Sequence, residues 1–343
     1  MTLHSRLKKK RGVPRAAYRP LFSALMVLFF LLLFLRNTEI AISFITQGLR
    51  LCTGSVIPSL FPFMVLSELL VGGGLAEELT SRLPPWLHQA FGFSRAGFGA
   101  FLLGLFCGFP VGARCAMIAL DAARIDRTEA ERILCFATIP SSAFMISAVG
   151  VSLWGSRRLG TSLYLTLLGI TILGALLDAS VRKIKEKKRP SSPTVSSSVS
   201  IHPCGISLFT QSVRNAARSM MLVCAYVLFF SALGGVLGYS VNRLSPPPLL
   251  GGLLFSVLEL SGGVSHAAGI PSRASALALT AFSAGWCGLS VHFQVLSVCE
   301  GRGLSFRKYF LTKLLHGMLA TLLFLLLWRL FPMLTEEGCQ AFG

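Results

Sequence analysis

The chain alternates long uncharged apolar runs with short basic or mixed-charge segments. An apolar run of about 20 residues is long enough for a helix to cross the hydrocarbon core of a bilayer. The composition agrees, because 53% of the residues are hydrophobic and only 13% are charged, whereas soluble domains carry about 25% charged residues. The pattern predicts an all-α polytopic membrane protein, with apolar segments at 20–36, 51–75, 97–118, 133–156, 159–177, 219–240, 249–269, 276–299 and 309–331.

One of these runs ends in the segment 108–114, which reads GFPVGAR. A helix is expected to break there, because Pro110 has no N–H and each glycine costs about 1 kcal/mol relative to alanine. In lipid the freed backbone groups need partners, so such a break survives inside protein or beside a polar cavity. Arg114 then has two interpretations that the segment leaves open. It is either a cation in a substrate site at the broken helix, or it reaches the headgroups from a kinked one.

The second half of the chain repeats landmarks of the first half in the same order. A shared five-residue motif could arise by chance, but three landmarks in one order indicate a duplication. The pentapeptide TQGLR at 46–50 recurs as TQSVR at 210–214, the break at 108–112 has a counterpart at 260–264, and the break at 136–142 has one at 282–286.

A count of the crossings predicts that the two repeats have opposite orientations. The basic cluster 182–189 belongs in the cytoplasm by the positive-inside rule. The count closes if 133–156 and 276–299 are re-entrant hairpins, although a proline-kinked crossing is an alternative for the first of them. It places the segment 121–132 outside and the basic segment 302–308 inside. The predicted fold is therefore all-α, with two inverted repeats that contain broken helices and re-entrant hairpins.

The same pattern divides the chain into consecutive units. Composition changes most sharply in the middle, where a basic cluster precedes a Ser/Pro-rich stretch that we expect to be a linker. The predicted units are a basic cytoplasmic N-terminus (1–19), a first transmembrane helix (20–37), a first repeat (45–180), the basic Ser/Pro-rich linker (181–205), a second repeat (206–300), a C-terminal transmembrane helix (301–334) and a tail (335–343).

The net charge of +18 raises the question of a nucleic-acid partner. The basic residues crowd into the N-terminus, the central cluster and the ends of apolar runs, which is typical of cytoplasmic loops beside anionic lipid headgroups. We therefore expect contact with the lipid bilayer and no nucleic acid, and the sequence leaves a homo-oligomer open. The nine cysteines show no spacing suited to zinc, so no metal or cofactor is predicted.

Catalysis is not favoured either. Ser290 and His292 lie close in sequence, but spacing places no acid beside them. What remains is a set of polar side chains within apolar runs, each costing about 2.5–3.5 kcal/mol near a bilayer centre when charged. Glu68 and Glu259 are either structural counter-ions for Arg114, Arg50 or Arg214, or one of them is a proton-coupling carboxylate, and the sequence does not separate these roles.

A small anion suits the remaining polar groups. Helices that restart after a glycine break offer free N–H groups with positive partial charge, and Arg114 adds bidentate carboxylate recognition. His292 and Gln294 either bind the ligand or bridge helices. The predicted substrate-binding residues are Arg114, Gly108, Pro110, Gly112, Ser141, Ser142, Ser261, Gly262, Gly263, Ser290, His292 and Gln294.

Ordered motifs along residues 45–331 resemble the sporulation integral membrane protein family of the YlbJ type, within the nucleoside-recognition (Gate domain) superfamily. The family tends to have a lysine where Arg114 stands, and an Asn- or Gly-containing break where this chain has 138–142. The motifs are PSLFPF at 58–63, SELL at 67–70, GFPVGAR at 108–114, TEAER at 128–132, LELSGG at 258–263 and GLSVHFQ at 288–294.

The resemblance implies a carrier made by endospore-forming bacteria, which moves dipicolinic acid across the outer forespore membrane during sporulation. Dipicolinate is a small planar dicarboxylate, and Phe109, Trp286 and Phe293 are candidates for contact with its ring. One alternative is a carrier of nucleosides or other small metabolites, which are recognised by neutral polar groups. Another is a protein of the spore envelope that assembles structure without transporting anything.

Overall fold

In this computed structural model the described residues are 18–186, 205–243 and 247–332. Every regular element in these ranges is helical. The helices are α1 (Tyr18–Arg36), α2 (Thr38–Leu51), α3 (Ile57–Gly72), α4 (Leu75–Ser81), α5 (Pro85–Ala90), α6 (Arg95–Cys107), α7 (Val111–Asp121), α8 (Arg127–Phe136), α9 (Arg157–Glu186), α10 (Ile206–Asn242), α11 (Pro248–Leu258), α12 (Leu260–Ala268), α13 (Arg273–Trp286), α14 (Gly288–Val298) and α15 (Arg307–Leu330), with π-helical segments π1 (Cys52–Val56) and π2 (Phe144–Leu153).

Four stretches of the described chain are long and apolar enough to cross a membrane, and two bent helix pairs raise the number to as many as six. One bent pair joins α1 to the helix that follows at 91°. Because α1 leaves most of its apolar side chains exposed, its surroundings must be lipid or another apolar surface. The predicted polytopic all-α fold is confirmed. The predicted N-terminal segment 1–19, the linker and the tail lie largely or wholly outside the described residues.

Two long helical stretches pack along each other in opposite directions. The first is formed by α2, π1 and α3, and the second is α10. A Cβ added at Gly48 would lie 3.3 Å from Ser231 Oγ, and one added at Gly72 would lie 3.6 Å from Leu208 Cδ1. Residue numbers therefore rise along one stretch while they fall along the other. These stretches carry the two copies of the repeated pentapeptide, so the repeats are inverted with respect to each other.

Two helix pairs fold back on themselves as hairpins. In the first hairpin (α6 and α7), a Cβ added at Gly112 would lie 2.7 Å from the Cα of Gly104. In the second hairpin (α11 and α12), a Cβ added at Gly263 would lie 2.6 Å from the Cα of Ser256. Backbones approach this closely only where side chains are absent or small. The glycines thus allow each pair of arms to lie side by side.

Two further helix pairs are interrupted but continue in one direction. The first interrupted span (α8 and π2) runs beside α9, with Arg132 Nε bonded to Asp178 Oδ2 at 2.7 Å and Gly150 opposite Gly160. The second interrupted span (α13 and α14) runs beside α15, where Thr321 bonds the carbonyl of Ala278. It is long and apolar enough to be a single crossing.

The assignment of the re-entrant segments from sequence was therefore wrong. The sequence analysis treats 133–156 and 276–299 as the hairpins, with a proline-kinked crossing as the alternative for 133–156, and it treats 97–118 and 249–269 as crossings. The structure reverses these roles. All four segments contain a break, but only 97–118 and 249–269 have glycines at which the two helical arms pack side by side. Hydropathy detects a break in a helix but not the direction in which the chain leaves it.

The loops at one end of the molecule correct the predicted topology further. Arg302 bonds Asp121 through both guanidinium branches, at 2.8 and 2.6 Å, and Glu131 accepts from the backbone N–H of Ser305 at 2.7 Å. Segments in direct contact lie on the same side of a membrane. The prediction that 121–132 and 302–308 lie on opposite sides is wrong, and the positive-inside rule now places both in the cytoplasm.

We expect Gly104→Ala to lower the midpoint of thermal unfolding in detergent. The added methyl group would meet the backbone of Ala137, and overpacking of this kind costs about 1–3 kcal/mol. The matched control is Gly169→Ala in α9, where a Cβ meets nothing within 4 Å and where alanine favours the helix by about 1 kcal/mol. Equal midpoints for the two variants would contradict the close packing of the first hairpin.

The ion pair between the two loops predicts a pH dependence. The hydrogen bond from Arg302 lowers the pKa of Asp121 from its ordinary value of 3.8, so the pair stabilises the fold above that value and the stabilisation is lost as pH falls through the lowered pKa. Because both side chains are partly exposed, we expect Asp121→Asn to cost less than about 1 kcal/mol at pH 7. Thermal unfolding of variant and wild type should converge as the pH falls through the lowered pKa, and a difference that persists once Asp121 is protonated would refute the assignment.

Candidate functional site

The tips of both hairpins meet the breaks of both interrupted spans. At the first tip, the N–H of Phe109 donates to the carbonyl of Ile139 at 2.9 Å. At the second, a Cβ added at Gly288 would lie 3.0 Å from the Cα of Glu259. The two breaks also touch, since Cys287 Sγ lies 3.9 Å from the carbonyl oxygen of Thr138. All four discontinuities therefore converge on one region.

Left-handed backbone makes these turns possible. Gly108 ends α6 with φ +76°, and Cys287 and Gly288 separate α13 from α14 with φ of 73° and +80°. Glycine adopts such angles at no steric cost, whereas cysteine rarely does. A Cβ at Gly108 would also lie 2.8 Å from the Cα of Ser141. The predicted site residue Gly108 thus has a packing role at the first tip.

A small chamber of about 40 Å³ lies where the four discontinuities meet. Its walls combine apolar side chains with three polar residues that the sequence analysis singled out, Ser141, Ser261 and Gln294, together with Glu259. We call it the inner chamber. Its full lining is Val56, Leu60, Phe109, Ser141, Phe144, Val223, Val227, Glu259, Leu260, Ser261, Val291 and Gln294.

A larger cavity of about 580 Å³ adjoins the inner chamber and shares Phe144, Glu259 and Ser261 with it. We call it the main cavity. It is within the range of small-molecule sites, about 300–1,000 Å³. It lies between α2, α10, the second hairpin and π2, and is lined by Phe44, Gln47, Gly48, Arg50, Leu51, Phe144, Ala148, Ser152, Leu153, Phe230, Ser231, Phe255, Glu259, Ser261, Gly262, Ser265 and His266.

Arg50 supplies a positive charge to the main cavity. Its guanidinium forms no ion pair with any residue in the described ranges, and its side chain is exposed. The sequence analysis considers Arg50 only as a partner for a glutamate. Its place in the repeated pentapeptide was the feature that could have identified it. Its counterpart in the second repeat, Arg214, lines neither cavity.

Glu259 occupies the helix N-terminus at which we expected an anion. It is 4% exposed, it ends α11, and its Oε2 accepts from the N–H of Gly262 at 2.6 Å. A carboxylate at this place is stabilised by the helix dipole and the free N–H groups. A substrate anion at the start of α12 would therefore need Glu259 to turn away or to carry a proton.

Gln294 has an unsatisfied oxygen on the wall of the inner chamber. Its Nε2 donates to Ser290 Oγ at 3.3 Å, but its Oε1 has no hydrogen-bond partner among the described residues, and the residue is 3% exposed. A buried amide oxygen without a partner costs about 1–3 kcal/mol. A ligand or water that donates to Gln294 would remove this cost.

Arg114 lies in an ion pair with Glu68, which joins the first hairpin to α3. Glu68 is 5% exposed and the Arg114 side chain 23%. Neither residue lines the inner chamber or the main cavity. Two roles were considered for Glu68, and the structure shows the first of them, a counter-ion for Arg114. Substrate binding by Arg114 stays a prediction.

The other predicted site residues have varied positions. His292 is fully buried, its Nδ1 lies 3.0 Å from the Tyr309 hydroxyl, and its ring packs edge-on against Trp286. It therefore lies beside the second break without lining a cavity. Gly262 lines the main cavity, while those outside both cavities are Arg114, Gly108, Pro110, Gly112, Ser142, Gly263, Ser290 and His292.

We expect Arg114→Ala to destabilise the protein strongly, because it leaves the buried Glu68 carboxylate without its partner, at a cost of about 3–5 kcal/mol. The double variant Glu68→Gln, Arg114→Gln removes both charges and should recover most of that loss. Thermal unfolding of the two proteins in detergent makes the comparison. An Arg114→Ala protein as stable as wild type would show that the pair does not support the fold.

Comparison with known proteins agrees with the motifs and the architecture. No family model matches the chain, and no solved structure matches it. The chain is 25% identical over 312 residues to the sporulation integral membrane protein YlbJ of Bacillus subtilis (strain 168), a match that covers 82% of this chain and 76% of that protein. The resemblance to the YlbJ type is confirmed, whereas membership of the Gate-domain superfamily stays a prediction. The chain is an integral membrane protein similar to YlbJ over most of its length.

Proposed function

We propose that this protein is a carrier for a small aromatic dicarboxylate, dipicolinate, and that it acts in the outer forespore membrane of a sporulating bacterium. The observation that carries the proposal is the main cavity, which places a cation and several aromatic rings beside four converging helix breaks. Broken helices around a shared midplane site are typical of secondary transporters. The sporulation context comes from the relative named above.

The apolar part of the main cavity suits a planar ring. Phe44 and Phe255 face each other with centroids 6.1 Å apart and an interplanar angle of 21°, and the His266 ring stacks on Phe255 at 5.2 Å. Phe144 and Phe230 complete the aromatic wall. Aromatic rings favour offset-stacked neighbours, so a flat pyridine ring would be accommodated here.

The polar part suits carboxylates. Arg50 offers a planar fork that matches a carboxylate with two hydrogen bonds. Gln47 lies one turn earlier on the same helix, and the hydroxyls of Ser231 and Ser265 lie on two other walls. One carboxylate of the substrate would pair with Arg50, and the second would accept from the hydroxyl and amide groups.

The inverted repeats provide a route for alternating access. The main cavity is lined by Gln47, Arg50 and Ser231. If the register of the repeated pentapeptide is continued without gaps, their counterparts are Gln211, Arg214 and Ser67, which line neither cavity. In the first half, the corresponding region holds the Arg114–Glu68 ion pair. A movement that exchanged the conformations of the two halves would close the main cavity and open its counterpart toward the opposite side.

We expect wild-type protein in proteoliposomes to exchange external for internal dipicolinate. Arg50→Ala should raise KM at least about tenfold, the equivalent of 1.4 kcal/mol, and Arg50→Lys should recover part of it. The matched control is Arg214→Ala, the equivalent exposed arginine of the other repeat, which should leave KM within about twofold. The measurement is initial uptake of labelled dipicolinate as a function of its concentration.

A neutral nucleoside in the main cavity is a second candidate, because the adjoining inner chamber of about 40 Å³ could take one polar group of such a ligand. That chamber contains no arginine or lysine, and it presents the unpaired oxygen of Gln294 with Ser141, Ser261 and Glu259. Competition of uptake by uridine and not by dipicolinate would decide for a nucleoside. If neither compound were exchanged nor raised the thermal midpoint, a non-transporting role in the spore envelope would replace both.

A further inference from the structure

A buried lysine lies beside the converging helix breaks. Lys313 of α15 has no solvent-exposed surface, and its ammonium donates to the carbonyl oxygen of Thr138. No carboxylate in the described ranges lies within ion-pair distance of it. A buried charge without a counter-ion is costly, and such residues in membrane proteins are retained for function.

The groups around Lys313 come from each helix that packs near it, and they do not balance its charge. The nearest carboxylate on α9, Asp178, is occupied by Arg132 at 2.7 Å. The remaining titratable neighbours are thiols, imidazoles and a phenol, and none of them is a carboxylate that could balance the charge of Lys313. They are Cys135 on α8, Cys287 between α13 and α14, His292 on α14, and Tyr309 and His316 on α15.

The position of the ammonium connects it to the proposed site. The Thr138 carbonyl lies in the break of the first interrupted span, and the thiol of Cys287, in the second break, approaches the same oxygen. Three residues after Thr138, Ser141 lines the inner chamber. A proton on Lys313 therefore acts on the backbone that joins both interrupted spans, close to where a substrate would lie.

We propose that Lys313 is the proton-coupling site of the carrier, binding a proton together with the substrate anion and releasing it when the site is empty. This inference rests on the proposed function. In the loaded state the amine takes a proton from the aqueous phase that the main cavity faces and becomes an ammonium. The dianion is then accompanied by one positive charge as both are carried across.

Electrostatics gives the direction of the coupling. A nearby dianion stabilises the ammonium, because opposite charges attract strongly where water is excluded. By linkage, the proton strengthens anion binding by the same factor. After the anion leaves, the ammonium faces a carbonyl and neutral side chains only, so its proton returns to the aqueous phase on the second side. The empty carrier then resets with a neutral amine.

Two substitutions separate coupling from a structural role. Lys313→Met has a similar length and no charge, so the carrier should still exchange dipicolinate, but a pH gradient should no longer drive its accumulation. Lys313→Arg keeps its proton under all working conditions, so exchange should continue while net uptake fails, because the empty carrier cannot discharge. Lys308→Met, at the exposed start of the same helix, is the matched control and should behave as wild type.

The experiment uses full-length protein in proteoliposomes and compares dipicolinate exchange at equal pH with uptake driven by an acid exterior. We expect the gradient to raise wild-type accumulation at least about tenfold and to leave Lys313→Met accumulation unchanged. Exchange at saturating dipicolinate should continue in both Lys313 variants, with a higher KM in Lys313→Met because no proton there strengthens anion binding. Gradient-driven accumulation by Lys313→Met, or equal loss of exchange and net uptake in both variants, would overturn the proposal. Wild type that exchanges dipicolinate without any response to pH would refute the coupling alone, whereas wild type that exchanges none would refute the proposed function.

Discussion

The need to satisfy backbone hydrogen bonds away from water governs this architecture. An interrupted helix in a membrane leaves N–H and C=O groups that only protein can satisfy. Here each interruption is supported by another one. Phe109 at the first hairpin tip bonds Ile139 in the first interrupted span, and the Thr138 carbonyl receives both a lysine and a thiol. The four breaks are therefore tolerated because they converge, so that groups at one break form hydrogen bonds with the free backbone groups of another.

Charge follows the same logic as the backbone. Arg132 is held by Asp178 and by the carbonyls of Phe91 and Gly92, and its guanidinium stacks on Phe93. Arg114 and Arg124 are paired with glutamates. Two cations near the converging breaks differ from these, because neither has a carboxylate partner in the described ranges. Arg50 faces the main cavity, and the buried Lys313 donates to the Thr138 carbonyl in the first interrupted span.

The two halves of the chain are similar in architecture but differ in what surrounds their hairpins. Equivalent helices pack in opposite senses, yet the second hairpin borders the main cavity whereas the first hairpin does not and carries the Arg114–Glu68 ion pair. The loops that join the halves at the opposite end are tied by Arg302 to Asp121. Under the proposed transport function, the inverted duplication would supply two alternative conformations, of which the one with the main cavity formed is described here.

Much of the fold and part of the site could be predicted from the sequence. Hydropathy and composition determined the all-α membrane class, because a bilayer demands apolar helices of a fixed length. Repetition of the pentapeptide identified the duplication, and the glycine-rich segments located the breaks. Ser141, Ser261, Gln294 and Glu259, all noted in the sequence, lie together around the inner chamber, and their binding of a substrate stays a prediction.

The tertiary structure alone decided how the chain continues after each break, and hence which segments fold back. The outcome depends on contacts such as Gly112 against Gly104, which join residues whose proximity no local pattern encodes. It also decided which cations are paired. Arg50 and Arg114 look alike in sequence, since each is an arginine near a glycine in an apolar run, but only the packing of α3 against α7 brings Glu68 to one and leaves the other facing a cavity. Which charged residues form an ion pair depends on their distance in three dimensions, and the sequence gives only their identities.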